Sequence, residues 1–178
     1  MRHTPALAIL VVFLLTGHSV SGQESAADAK SAIAELNRFK GTWEKQFTIY
    51  KSEWSPEEQT KSGTQTDAWI LDDHHLQETG RDSDGMNYMT VYSYDVAAKA
   101  YRASVFQSNG NTWQMSGQWD AQSSAFTWTH ELGDGIRMIG TYKFVTPDQF
   151  KFSYMAKGKE NKELFRLEGT GTRRDAKK

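Results

Sequence analysis

From Trp43 onward, apolar and polar residues alternate with a period of two. Trp113, Met115, Gly117 and Trp119 interleave with Gln114, Ser116 and Gln118, and Phe126, Trp128, His130 and Leu132 with Thr127, Thr129 and Glu131. Phe150, Phe152 and Tyr154 interleave with Lys151 and Ser153 in the same way. Successive side chains of a strand point to opposite faces, so each run reads as a half-buried antiparallel strand. Turn chemistry separates the runs: Asp82-Ser83-Asp84-Gly85, Ser108-Asn109-Gly110-Asn111, Asp120 to Ser124, Gly133-Asp134-Gly135, Thr146-Pro147-Asp148 and Lys157-Gly158-Lys159. The spacing predicts about ten short strands. Between Ser52 and Ser62, with Pro56 and Glu57-Glu58, the alternation fails and a longer loop is expected.

Before Trp43 the period changes. Ala26, Ala27, Ala29, Ala32, Ile33, Leu36 and Phe39 recur at three- and four-residue spacing, which predicts a helix from Glu24 to Phe39 that Gly41 stops. The fold class is therefore all-β: a single closed antiparallel barrel of about ten strands, with a short N-terminal helix at its mouth. Closure suits a meander of hairpins because it leaves no unpaired strand edge. About eight strands fill their own interior and larger barrels enclose a cavity, so ten leave room for something small.

The first residues read as a secretory leader. Met1-Arg2-His3 is a short basic start, Ala6 to Leu15 is apolar but too short to span a membrane, and Val20-Ser21-Gly22 supplies small residues for cleavage after Gly22. The expected organisation is a signal peptide over 1–22, a helical lead-in over 23–40, a barrel over 41–174 and a tail over 175–178. An exported protein with no stable membrane anchor follows, with periplasm and extracellular space both open. Of the 21 basic residues only Arg2 lies in the leader, against none of the 22 acidic ones, so the mature chain is slightly acidic. That balance argues against nucleic acid or an anionic membrane as the main partner. With no Cys, disulfides, thiolate metal sites and Cys nucleophiles are all excluded. The core must then hold itself together, and 12% aromatic residues can supply it. Oligomeric state is not legible.

Leu36-Asn37-Arg38-Phe39-Lys40-Gly41-Thr42-Trp43, Trp69-Ile70-Leu71, and Tyr92-Ser93-Tyr94-Asp95 before Lys99-Ala100-Tyr101 resemble the bacterial family catalogued as domain of unknown function 1579. The family implies a calycin-like (lipocalin-like) barrel, often on exported proteins, and no assigned reaction. In such barrels the Trp of Gly41-Thr42-Trp43 seals one end and is covered by an Arg of the last strand. Arg173 and Arg174 are both placed to cover Trp43 by cation–π stacking. Binding would then occur at the opposite mouth. The nitrobindins, haem-carrying calycins, resemble this architecture and take a His from near the chain end. Lys162 to Glu168 has none, so no cofactor is expected.

Candidate chemistry is sparse. Trp113, Met115, Trp128, Met138, Tyr142, Phe152 and Tyr154 fall on expected inward faces and form either a filled core or the wall of a pocket for a small lipophilic ligand. His130, on the same face as Trp128, is the expected polar anchor. Asp72-Asp73-His74-His75 reads as a polar turn rather than a metal site, because neighbouring strand side chains diverge. Glu78 and Glu131 are the strand carboxylates considered, and no acid/base pair on one inward face is expected. No Gly-x-Ser-x-Gly or phosphate-binding glycine motif occurs. The reading favours small-ligand binding, with two alternatives: a filled structural or interaction barrel, and an enzyme using His130 as its base.

Overall fold

The computed structural model describes residues 29–174. The leader, the first helical residues from Glu24 and the 175–178 tail lie outside the described residues. Ten strands follow one another: β1 (Gly41–Ile49), β2 (Gln59–Ile70), β3 (His75–Asp82), β4 (Asn87–Asp95), β5 (Ala100–Gln107), β6 (Thr112–Asp120), β7 (Ala125–Gly133), β8 (Ile136–Thr146), β9 (Gln149–Lys157) and β10 (Glu163–Arg173). Each pairs antiparallel with its sequence neighbour, and β1 pairs with β10 from Trp43↔Arg173 to Ile49↔Leu167, so the sheet closes into a barrel. Every strand thereby has two partners, and no edge is left open to another chain.

The hairpins follow their turn residues. Asp134 (φ 52°) and Gly135 (φ 77°) both occupy the left-handed region, the backbone that a two-residue loop between right-twisted strands requires. One boundary differs from the sequence reading. Gln59 to Ser62 belongs to β2, paired with Ile49 to Gln46, rather than to a loop. These polar residues lie at the barrel rim, where neither face has an apolar core to declare itself.

The N-terminal helix occupies residues 29–35 and tightens into a 3₁₀ turn at Leu36–Arg38. It covers the end of the barrel that holds Trp43, not the open mouth where the sequence reading put it. Leu36 and Phe39 are completely buried there, and the Phe39 ring packs on Tyr92, Phe126, Tyr142, Phe144 and Phe150. Hydrogen bonds fix the plug: Trp43 Nε1 donates to Phe39 O (2.6 Å), Trp69 Nε1 to Asn37 Oδ1 (2.7 Å) and Tyr101 Oη to Ala32 O (2.9 Å). A plug anchored by three such donors leaves the other end as the entry. Among the described residues no helix is long and apolar enough to cross a membrane.

Candidate functional site

At the closed end Trp43 is fully buried, and the Arg173 guanidinium lies 4.2 Å above its ring. Arg173 Nε donates to Asp148 Oδ1 (2.9 Å), Nη2 to Pro147 O (3.0 Å) and Arg38 O (3.3 Å), and Nη1 to Lys40 O. One side chain thus ties the lead-in, the β8–β9 turn and β10 together over Trp43. Arg174 instead forms an exposed pair with Glu44 at 3.2 Å. Of the two arginines, Arg173 is the cover.

The remaining interior holds a cavity of about 270 Å³. Its upper lining comes from the strand ends away from Trp43: Asp82 ends β3, Tyr88 starts β4, Gln107 ends β5, and Trp113 and Met138 lie near the starts of β6 and β8. The two sides of the cavity differ in chemistry. Ala103, Val105, Trp113, Met115, Trp128 and Met138, from β5 to β8, make an apolar wall. Lys45, Glu78, Asp82, Tyr88, Thr90 and Tyr92, from β1, β3 and β4, make a polar one. Phe152, Tyr142 and Tyr154 stand between them, the two tyrosine hydroxyls hydrogen-bonded to each other at 3.1 Å.

Trp113, Met115, Trp128, Met138, Tyr142 and Tyr154, expected on inward faces, all line this cavity. His130 does not. It is partly exposed and paired in register with Met138, at the level where β7 approaches its register shift between Glu131 and Gly133. His130 shares the parity of Trp128 and the level of Met138, both of which line the cavity, yet it is not itself among the lining residues. His74 lies in the β2–β3 turn and His75 opens β3.

In and beside the polar wall lie charged groups that sequence reasoning did not place inward. Lys45 is 7% exposed, Asp67 2% and Glu78 3%, and Asp67 and Glu78 are register partners on β2 and β3. Two buried carboxyls therefore do face inward side by side, contrary to the expectation of none. Tyr92 Oη donates to Glu78 Oε2 at 2.5 Å, Gln65 Nε2 donates to Asp67 Oδ2 at 2.8 Å, and Lys45 Nζ donates to Tyr88 Oη. Lys45 Nζ also lies 3.8 Å from Asp82 Oδ1.

Loss of solvation pushes the Asp67 carboxyl well up, and the Glu78 charge beside it adds to that. Glu78 is raised by burial too, opposed by the Lys45 charge and the Tyr92 hydrogen bond. Asp82 moves up for the same first reason, opposed by Lys45. Burial also raises Tyr88, Tyr92, Tyr142 and Tyr154, which keeps these phenols protonated as donors. On the apolar wall, the buried indole N–H groups of Trp113 and Trp128 have no acceptor within the protein.

The signal for Lys45 was present in the sequence, since it shares strand parity with Trp43 and Phe47. Asp67 shares parity with Gln65 and Trp69, and Glu78 with Leu76. Their strands are polar on both faces, so period-two contrast is lost.

Residues 29–173 match the model of the family described as a protein of unknown function, DUF1579. The chain belongs to the DUF1579 family. Two solved structures share the calycin-like barrel of this DUF1579 member. Rv2717c from M. tuberculosis is 12% identical with a TM-score of 0.59, covering 80% of this chain and 97% of its own. The S-type phycobiliprotein lyase CPES from Guillardia theta is 11% identical with a TM-score of 0.54, covering 89% and 99%. At such identity the likeness is one of fold alone. No curated protein matches the chain by sequence.

Proposed function

We propose that this DUF1579 barrel is a binding protein that takes a small, largely apolar molecule into its interior. The supporting observation is the cavity of about 270 Å³, with an apolar wall facing a few polar groups. Ligand sites have this composition: apolar lining supplies affinity and a few fixed polar atoms set orientation. An apolar cavity of about 150 Å³ takes a benzene ring, so this one suits one or two rings rather than the four pyrroles of a haem. Met115 and Met138 add a wall that adjusts to ligand shape.

Native mass spectrometry of the protein from its own cells tests this reading. One bound molecule of a few hundred daltons per chain is expected, and a bare polypeptide that also fails to take up any added lipophile would contradict it.

Export is part of the same proposal, resting on the basic start, the short apolar run and the small residues before Gln23. The intact mass of the mature protein should correspond to a chain starting at Gln23. A full-length chain retained in the cytoplasm would exclude export.

A further inference from the structure

Four tyrosines line the cavity, and the hydroxyls of two are engaged by charged groups. Tyr92 Oη donates to Glu78 Oε2 at 2.5 Å, and Tyr88 Oη accepts from Lys45 Nζ. Among the described residues, the hydroxyls of Tyr142 and Tyr154 bond each other, at 3.1 Å, and nothing else. Two hydroxyls carry two protons, and one bond between them uses one. The surroundings decide which tyrosine donates. Tyr142 is 5% exposed, with its ring against Phe39 (5.3 Å), Phe150 (5.5 Å) and Phe152 (5.7 Å) beside the plug. Were Tyr154 the donor, the Tyr142 proton would be left bare among apolar rings, and a buried donor without an acceptor is costly. Tyr154 stands one step nearer the mouth, since its register partner is Gly140 whereas Tyr142 pairs with Phe152. It is partly exposed and lines the cavity. Its ring lies across Gly140, where a Cβ would come within 2.5 Å of it, and the missing Cβ lets the ring reach over β8 to Tyr142.

We propose that Tyr142 donates to Tyr154 and that Tyr154 presents the remaining phenol proton to the ligand, a neutral molecule of one or two rings bearing a carbonyl oxygen. This deepens the reading of the cavity as a ligand site and rests on it. A hydroxyl that already accepts a hydrogen bond is polarised into a stronger donor, so the pair acts as a short relay aimed at the cavity. A carbonyl oxygen accepts and brings no proton of its own, so one donor satisfies it. A ligand alcohol or amine would add a proton that needs an acceptor, and the facing wall of Ala103, Val105, Trp113, Met115, Trp128 and Met138 has no side-chain acceptor to offer. A carboxylate would need a cation to offset its desolvation. Lys45, the one basic residue lining the cavity, is already engaged with Tyr88 and lies 3.8 Å from Asp82.

Three naphthalenes separate the alternatives: 2-acetylnaphthalene, 2-isopropylnaphthalene of the same shape without the oxygen, and 2-naphthoate. In infrared difference spectra the carbonyl stretch of bound 2-acetylnaphthalene should fall below its value in hexane. Tyr154→Phe should return it to the hexane value, weaken the ketone by about fivefold in calorimetric titration and leave 2-isopropylnaphthalene unaltered. Tyr142→Phe should keep the lowered stretch. A stretch at the hexane value in the parent, a lowered stretch that persists in Tyr154→Phe, or tighter binding of 2-naphthoate than of the ketone would each overturn the carbonyl assignment. The parent's own stretch keeps the proposal falsifiable whatever the stability of the variants. Binding of 2-isopropylnaphthalene in any of these cases leaves the cavity as a ligand site. Binding of none of the three would overturn the proposal, and the native mass then decides the cavity reading separately.

Discussion

Arg173 concentrates several weak terms in one side chain. Its guanidinium stacks on Trp43 at 4.2 Å, pairs with Asp148 at 2.9 Å and caps three backbone carbonyls, two of the lead-in and one of the β8–β9 turn. A planar fork can serve all of these at once, whereas an ammonium cannot. Arg173→Ala should therefore destabilise the barrel by about 3 kcal/mol, summing a cation–π contact and charge-assisted hydrogen bonds. Arg173→Lys should recover less than half of that in denaturant unfolding. A Lys variant as stable as the parent would show that charge alone matters there. The buried carboxyls make a second prediction. Asp67 and Glu78 hold protons more tightly in the folded chain, because burial penalises their charged forms. Their contribution to stability is then full below the ordinary carboxylate range and is lost as pH rises through the raised folded values. The exposed Asp84, Asp95 and Asp120, whose hydrogen bonds hold them low, act in the opposite sense and lose their contribution as pH falls. Asp67→Asn should raise stability at about pH 8 relative to about pH 5 and so flatten that part of the profile. A variant whose profile simply shifts downward in parallel would contradict the assignment.

At the scale of elements, the barrel packs aromatic rings flat onto glycines of the next strand. Gly117 on β6 lies under Trp128, where a Cβ would come within 2.5 Å of the ring, and Gly171 on β10 lies under Phe150. These contacts place Trp128 in the cavity wall and Phe150 in the plug. Gly117→Ala must push the Trp128 ring aside, at a cost of about 1–3 kcal/mol for overpacking, and should shift Trp fluorescence along with ligand affinity. Unchanged affinity despite lost stability would mean that Trp128 is core and not wall. The helical lead-in shows where pattern reading stops. Its 3.6-residue period and the stop at Gly41 were legible, but which end it covers was not. That depends on Phe39 reaching Tyr92 and Phe126 across the barrel and on its carbonyl accepting from Trp43, contacts far apart in sequence. Polar strands were harder still. Lys45 announces itself between Trp43 and Phe47, while Asp67 and Glu78 on β2 and β3 have too little contrast between faces for parity to be read.

For the molecule as a whole, the closed ten-strand meander was readable because alternation and turn residues agree along most of the chain. Cavity volume was not, since it depends on how rings interdigitate rather than on which residues face inward. His130 illustrates the difference: it has the parity of Trp128 and the register of Met138, both cavity-lining, and is not itself among the lining residues. The assembled barrel is closed at one end by Phe39, Trp43 and Arg173 and lined at the other by an apolar wall opposite buried carboxyls. Everything proposed about function depends on that interior admitting a small molecule. The most direct measurement is fluorescence titration with the neutral two-ring probe 6-propionyl-2-(dimethylamino)naphthalene, comparing the parent chain with Val105→Trp, which places an indole in the cavity wall. The parent should enhance probe emission saturably at one site per chain, and the variant, still cooperatively folded, should bind at least about tenfold more weakly as the space is filled. Equal enhancement by a folded Val105→Trp chain, or no saturable enhancement by the parent, would contradict a ligand-binding interior.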